Sequence, residues 1–209
     1  DQVDGNSAFS KTMKKEYVFI NEVGPRDGLQ NQDIKLSKDK RLGLIHSLEA
    51  ANIPGIEVAS FVSSKAIPQM QGAKGIIKNL KPSNCEYSVL IPNIRGYKDA
   101  IEAGCKIISV IPAATEEMNK KNINMSLKQA LNIASEIINL GKQDNIITRA
   151  YIAVAWVCPY EGKVDESVIL KIADQLIEAG ADELVLADTI GAANPASVKS
   201  LVSKVVDRY

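Results

Sequence analysis

Three charged residues crowd into one short stretch near the start of the chain, Asn21-Glu22-Val23-Gly24-Pro25-Arg26-Asp27-Gly28-Leu29-Gln30-Asn31. Glu22 and Asp27 carry carboxylates, the groups that hard divalent cations take as ligands. Arg26 stands beside Asp27, where a guanidinium can neutralise an oxyanion developing next to such a cation. Gly24 and Gly28 let the backbone turn sharply and come close to a ligand. The same charges also describe a surface turn with a local Arg26–Asp27 ion pair, and alone they do not decide between the two. Glu57 lies inside an apolar run, Gly55-Ile56-Glu57-Val58-Ala59-Ser60, where a carboxylate is costly without a charged or metal partner. An internal ion pair with Arg26 is one way to meet that cost. Asp188 ends another apolar run and either takes part in a site or caps the helix that follows.

These residues need elements that bring them together. Apolar runs of β character alternate with helical patterns six times. The candidate strands are Tyr17–Val23, Gly55–Ser60, Glu86–Ile91, Lys106–Ile111, Ile147–Val154 and Glu183–Asp188. The candidate helices are Lys38–Ala51, Pro68–Leu80, Gly96–Ala103, Ser126–Gly141, Asp165–Ala179 and Pro195–Asp207. Ser37, Ser126 and Asp165 stand where N-caps belong, and Gly104 and Gly180 where helices end. Period-two alternation in the second strand puts Ile56 with Val58 and Glu57 with Ala59.

Strict alternation of strand and helix predicts an α/β fold with a parallel sheet. A helix end, a short loop and a strand recur at Glu49–Ser60, Glu102–Val110 and Glu178–Asp188. Such recurrence suits a (β/α)8 TIM barrel, and no Gly-x-Gly-x-x-Gly follows the first strand to suggest a dinucleotide fold. A closed barrel needs about 250 residues. With 209 residues, about six βα units are expected, without strands seven and eight. Active sites of such barrels lie at the carboxyl ends of the strands, where Glu22, Asp27 and Asp188 fall.

The stretch Glu22–Asn31 closely resembles the first-strand signature of the 3-hydroxy-3-methylglutaryl-coenzyme A lyases. These belong to a metal-dependent TIM-barrel superfamily that also holds Claisen-type synthases. Gly24-Pro25 before the Arg-Asp-Gly core and Leu29-Gln30-Asn31 after it favour the lyase branch. The resemblance continues at Ser60-Phe61-Val62-Ser63, Pro68-Gln69-Met70, Lys120-Lys121-Asn122-Ile123-Asn124, Cys158-Pro159-Tyr160-Glu161-Gly162 and Asp188-Thr189-Ile190-Gly191.

It implies cleavage of an acyl-CoA, 3-hydroxy-3-methylglutaryl-CoA, to acetyl-CoA and acetoacetate, a step of leucine degradation, with Mg²⁺ or Mn²⁺. Asp27 then matches the metal-binding aspartate. Arg26 matches the arginine that contacts the substrate and stabilises enolate charge, and Glu57 the strand-two glutamate of the catalytic centre. Gln30 and Asp188 match residues on the substrate side. The family's remaining metal ligands, two histidines and an asparagine, and its catalytic cysteine lie beyond the sixth unit, so the chain alone is expected to be inactive. A lyase for a related 3-hydroxyacyl-CoA, a Claisen-type synthase and a non-catalytic barrel fragment are the alternative readings. Ala155-Trp156-Val157 departs from the family's small, Gly-containing run, and Trp156 is a candidate for reshaping the pocket.

Other features narrow the field. The formal net charge is zero and no basic block stands out, which gives no support for nucleic acid. No apolar run reaches the roughly 18 residues of a membrane span. Three scattered cysteines without Cys-x-x-Cys spacing suit reduced thiols and a cytoplasmic setting. Cys158 reads as a small structural residue and His46, mid-helix, as a surface one. Lys120 and Lys121 form either a coenzyme A phosphate contact or a solvated charge run. Residues 1–12 read as a disordered leader ahead of Met13. A homo-oligomer is left open.

Overall fold

A computed structural model describes residues 17–209, so the expected leader lies outside the described residues. Six strands form one parallel sheet in chain order: β1 (Asn21–Glu22), β2 (Gly55–Ser60), β3 (Glu86–Leu90), β4 (Ile107–Val110), β5 (Ile147–Ile152) and β8 (Glu183–Leu186). A two-residue antiparallel ladder joins β6 (Val157–Cys158) to β7 (Gly162–Lys163) within the loop after β5. The sheet curls. Arg149 of β5 reaches Asn21 of β1 at 3.3 Å, Glu86 of β3 at 2.8 Å and Glu183 of β8 at 2.8 Å, so inward side chains of distant strands converge. Among the described strands β1 and β8 each pair on one side only, which leaves a part-barrel of six βα units.

The helices are α1 (Lys38–Ala50), α2 (Ala73–Asn79), α3 (Ile94–Ala103), α4 (Glu116–Ile123), α5 (Leu127–Gln143), α6 (Glu166–Glu178) and α7 (Pro195–Arg208). Their starts are chemically marked, as expected. Ser37 accepts from Lys40 N and Asp165 from Ser167 N, while Ser126 with Gln129 and Asn194 with Ser197 form capping boxes. Apolar faces of these helices cover the outside of the sheet. Ile45, Ile76, Ile137, Ile138, Ile169 and Leu176 are buried there against Ile56, Ile108 and Ile152.

Several boundaries differ from the sequence expectation. The first strand is only Asn21–Glu22, and Tyr17–Ile20 are exposed. The reason is pairing: β2 begins at Gly55, opposite Asn21, after the donor-less Pro54, so earlier residues have no ladder partner. The expected helix Pro68–Leu80 is a 3₁₀ turn (Pro68–Met70) followed by α2, broken at Gly72, whose φ of +84° suits glycine. The α3 helix starts at Ile94 because Asn93 caps it earlier than expected. The polar α4, short and without an apolar stripe, was not foreseen.

Alternation in β2 also fails. A bulge at Val58 pairs Glu57 with Ser88 and Ala59 with Val89, so Glu57 and Ala59 do not share a face. The bulge and the helix break leave carbonyls without regular partners, and one side chain serves both. The fully buried Arg41 donates to Val58 O at 3.3 Å and to Gln71 O at 3.1 Å. Burial pulls its pKa down from the usual arginine value.

The close approach of α5 to β5 rests on Gly141, where an added Cβ would stand 2.4 Å from Thr148 Cγ2. Gly141→Ala is expected to destabilise the fold by about 1–3 kcal/mol through overpacking. Urea unfolding checks this, and an unchanged midpoint would show that α5 can slide outward freely.

Candidate active site

The turn after β1 builds the site. Pro25 fixes the first φ of a π-type turn, Gly24–Gly28, in which the N–H groups of Arg26 and Asp27 both donate to Val23 O, at 3.1 and 2.7 Å. Glu22 folds back so that its Oε1 accepts from Gly24 N at 2.6 Å. A Cβ at Gly24 would meet that oxygen at 2.9 Å, so the bare glycine makes room for the carboxylate.

This turn drives Arg26 inward, where only 5% of the residue is exposed. Its Nε donates to Glu57 Oε1, and its Nη1 donates to Asp27 Oδ1 at 2.7 Å. Glu57 is fully buried, and its second oxygen accepts from Ser109 Oγ at 2.8 Å. Both oxygens of the glutamate are therefore satisfied, and the guanidinium is held at two of its three nitrogens. Among the described residues no hydrogen bond reaches Arg26 Nη2. The internal Arg26–Glu57 pair weighed from the sequence is present. Asp27, by contrast, has a side chain 54% exposed.

Below this pair lies a second charged layer. Arg149, 4% exposed, is bound by Glu183 and Glu86. Burial pulls its pKa down, but the two carboxylates outweigh that and raise it. Tyr151 stands between the layers, and burial, with the Glu57 charge next, pushes its phenol up to about 12. It stays protonated at neutral pH. Sequence reading missed Ser109, Arg149 and Tyr151. The reasoning applied to Glu57, that a polar residue inside an apolar strand needs a partner, finds the first two.

The other expected residues fall in different places. Gln30 lines a cavity of about 100 Å³ at the ends of β2, β3 and β4, together with Ser60, Leu90, Val110, Asn122 and Ala134. Its Oε1 is buried without a partner, as is Ser60 Oγ. Asp188 does not join this group. Its two oxygens accept from Ala192 N and Ala193 N, both at 3.0 Å, and so organise the loop before α7. It is not the cap of that helix, which is Asn194.

Trp156 does not line the cavity. It is buried and donates from Nε1 to Ser197 O at 3.1 Å, so the expectation that it reshapes the pocket is corrected: the hairpin turns it toward α7. Cys158 is buried and accepts from Thr115 Oγ1 at 3.1 Å, a structural place as expected. His46 is half exposed beside Glu49. Lys120 pairs with Glu116 and Glu117, and Lys121 sits 5.2 Å above the Tyr160 ring.

A divalent cation was expected at Asp27. Among the described residues no three His, Cys, Asp or Glu side chains gather as a metal cage. Glu57 and one Glu22 oxygen are already engaged, so Asp27 is a single donor and fits only part of a coordination shell.

The HMGL-like family profile matches residues 17–209. The chain belongs to the HMGL-like family. Among its HMGL-like relatives is the cytoplasmic 3-hydroxy-3-methylglutaryl-CoA lyase of Danio rerio, 40% identical over 91% of this chain and 57% of that protein. The crystal structure of the Bacillus subtilis HMG-CoA lyase superposes with a TM-score of 0.88 at 37% identity, covering 92% of this chain and 65% of that one. An Acinetobacter baumannii HMG-CoA lyase, solved with coenzyme A and 3-methylmalate, gives 0.86 at 32% identity, covering 90% of this chain and 61% of that one. The chain thus spans less than two thirds of these three HMGL-like proteins, and the part-barrel of six βα units is a portion of their TIM-barrel fold.

The buried pair sets a stability expectation. Glu57→Gln should cost about 3 kcal/mol, the lower end for breaking a buried ion pair, because Arg26 keeps Asp27. Asp27→Asn should cost under about 1 kcal/mol, since that partner is half exposed. Denaturant unfolding of both variants checks the contrast, and equal losses would overturn it.

Proposed function

We propose that this chain forms the substrate-polarising part of a hydroxymethylglutaryl-CoA lyase, which cleaves 3-hydroxy-3-methylglutaryl-CoA to acetyl-CoA and acetoacetate. The observation that carries this reading is the Arg26 guanidinium, locked by Glu57 and Asp27 at the mouth of an HMGL-like barrel with Nη2 left for a ligand oxygen. The complex of the Acinetobacter relative with coenzyme A supports an acyl-CoA substrate.

Each residue has a distinct part. Arg26 holds the thioester oxygen and stabilises the negative charge that grows on it as the C–C bond breaks and the enolate of acetyl-CoA forms. Glu57 and Ser109 fix the plane of that guanidinium, so little reorganisation is needed when the charge appears. Gln30, just after that turn, faces the acyl group. Asp188 holds the β8–α7 loop that borders it. Asp27 would ligate the divalent cation, Mg²⁺ or Mn²⁺, with further ligands from outside the described residues. Bound there, the cation supplies Lewis acidity for the hydroxyl and carbonyl oxygens of the substrate. The proton transfers need an acid/base group, which none of these residues supplies.

Among the described residues no helix is long and apolar enough to cross a membrane. The free cysteines Cys85, Cys105 and Cys158 support a reducing, cytoplasmic setting.

The test is acetoacetate release from 3-hydroxy-3-methylglutaryl-CoA by the protein in the form its cell makes, with Mg²⁺ or Mn²⁺. Absence of release with either cation refutes the reading. Arg26→Lys should lower kcat by roughly two orders of magnitude and change KM less, because lysine lacks the planar fork. Asp27→Asn should shift the activation curve to higher cation concentration, and an unchanged curve would remove Asp27 from the metal site.

A further inference from the structure

The cavity beside Gln30 has a character that a compact methyl-bearing substrate leaves unexplained. Its lining is mostly apolar and includes two buried polar side chains. Ser60 is 1% exposed, and its hydroxyl has no partner. Gln30 Oε1 is also buried and unpartnered. Leaving such groups unpaired costs free energy in the empty protein, which a ligand can recover. The apolar lining includes Leu90, Val110, Ile123, Met125 and Ala134. Its volume is about 100 Å³. An apolar cavity of about 150 Å³ takes a benzene ring, so this one has room for roughly three or four carbons. Both polar residues adjoin the catalytic turn and strand: Gln30 comes two residues after the Gly24–Gly28 turn that carries Arg26 and Asp27, and Ser60 ends the strand that carries Glu57.

We infer that the cavity receives an alkyl branch on carbon 3 of the acyl substrate. The protein then cleaves 3-hydroxyacyl thioesters whose branch reaches roughly three or four carbons, not only a methyl group. A hydroxyl or carbonyl at the branching end meets these two side chains, where Gln30 Oε1 accepts and Ser60 Oγ donates or accepts. The alkyl chain lies between β3, β4 and α5. This inference rests on the lyase reading above.

The experiment compares kcat/KM for 3-hydroxy-3-methylglutaryl-CoA and its 3-butyl homologue, again with the protein in the form its cell makes and with Mg²⁺. The 3-butyl thioester should be cleaved at least as efficiently as the 3-methyl one. Ala134→Leu fills the cavity and should lower the butyl-to-methyl ratio by about tenfold or more, the scale of a misfit methylene in a specificity pocket. Met125→Ala, at the half-buried edge, opens the cavity and should raise the ratio even if the leucine variant folds poorly. Ser60→Ala should weaken binding of the butyl thioester without lowering Tm, because its hydroxyl has no partner to lose. A wild-type enzyme that cleaves only the methyl thioester overturns the inference and leaves the lyase reading intact. So does a ratio unmoved by Ala134→Leu and Met125→Ala, because the cavity would then hold an arm common to both substrates. No cleavage of either thioester overturns the lyase reading and this inference together.

Discussion

A charge pair that water does not reach organises this protein. Arg26 and Glu57 come from the first turn and the second strand, and each is buried because the other is there. In a low-dielectric interior either one alone would carry a desolvation cost of several kcal/mol. Their union therefore ties the turn to the strand and sets where the site lies. The glutamate is completed by Ser109 from β4, so β2, β4 and the turn after β1 meet at a single carboxylate. Asp27 then needs no burial. The sequence places it next to Arg26, and the turn leaves its side chain about half exposed.

The same logic repeats one layer down. Arg149 gathers carboxylates from β3 and β8 and touches Asn21 of β1. A curled sheet brings its inward side chains close together, and here polar groups rather than aliphatic ones fill part of that space. Two cation-centred layers stacked inside a part-barrel give the interior a fixed electrostatic pattern. Tyr151 lies between them and is held in its neutral form. The apolar core is displaced to the other side of the sheet, under the helices.

Much of this was legible in the residues. The alternation of strands and helices, the caps at Ser37, Ser126 and Asp165, and the strand-internal Glu57 all announce themselves by type and position. What was not legible depends on pairing at a distance. Tyr17–Ile20 has strand composition but no ladder partner, because its neighbour starts only after Pro54. The break at Gly72 hides in a pattern that reads as one helix. Trp156 looked like a pocket residue because it breaks the family's small, Gly-containing run, yet the short hairpin beside it turns the ring toward α7. Asp188 is a polar strand-end residue, as a site residue should be, and only the fold shows its oxygens spent on the loop. Ser60 gave no chemical signal beyond its motif, since an unpaired hydroxyl can be recognised only when its surroundings are known.

The bulge at Val58 has an effect on phase. In an unbroken strand, residues three apart point in opposite directions. With the extra residue at Val58, Glu57 pairs with Ser88 and Ser60 with Leu90, two positions of β3 that face the same way. Glu57 and Ser60 thus come to the same side, one gripping Arg26 and the other facing the cavity. The carbonyl freed by that shift is held by Arg41, on α1. A buried cation on the outer layer of the fold thereby keeps count for the strand, and decides which of its side chains look inward.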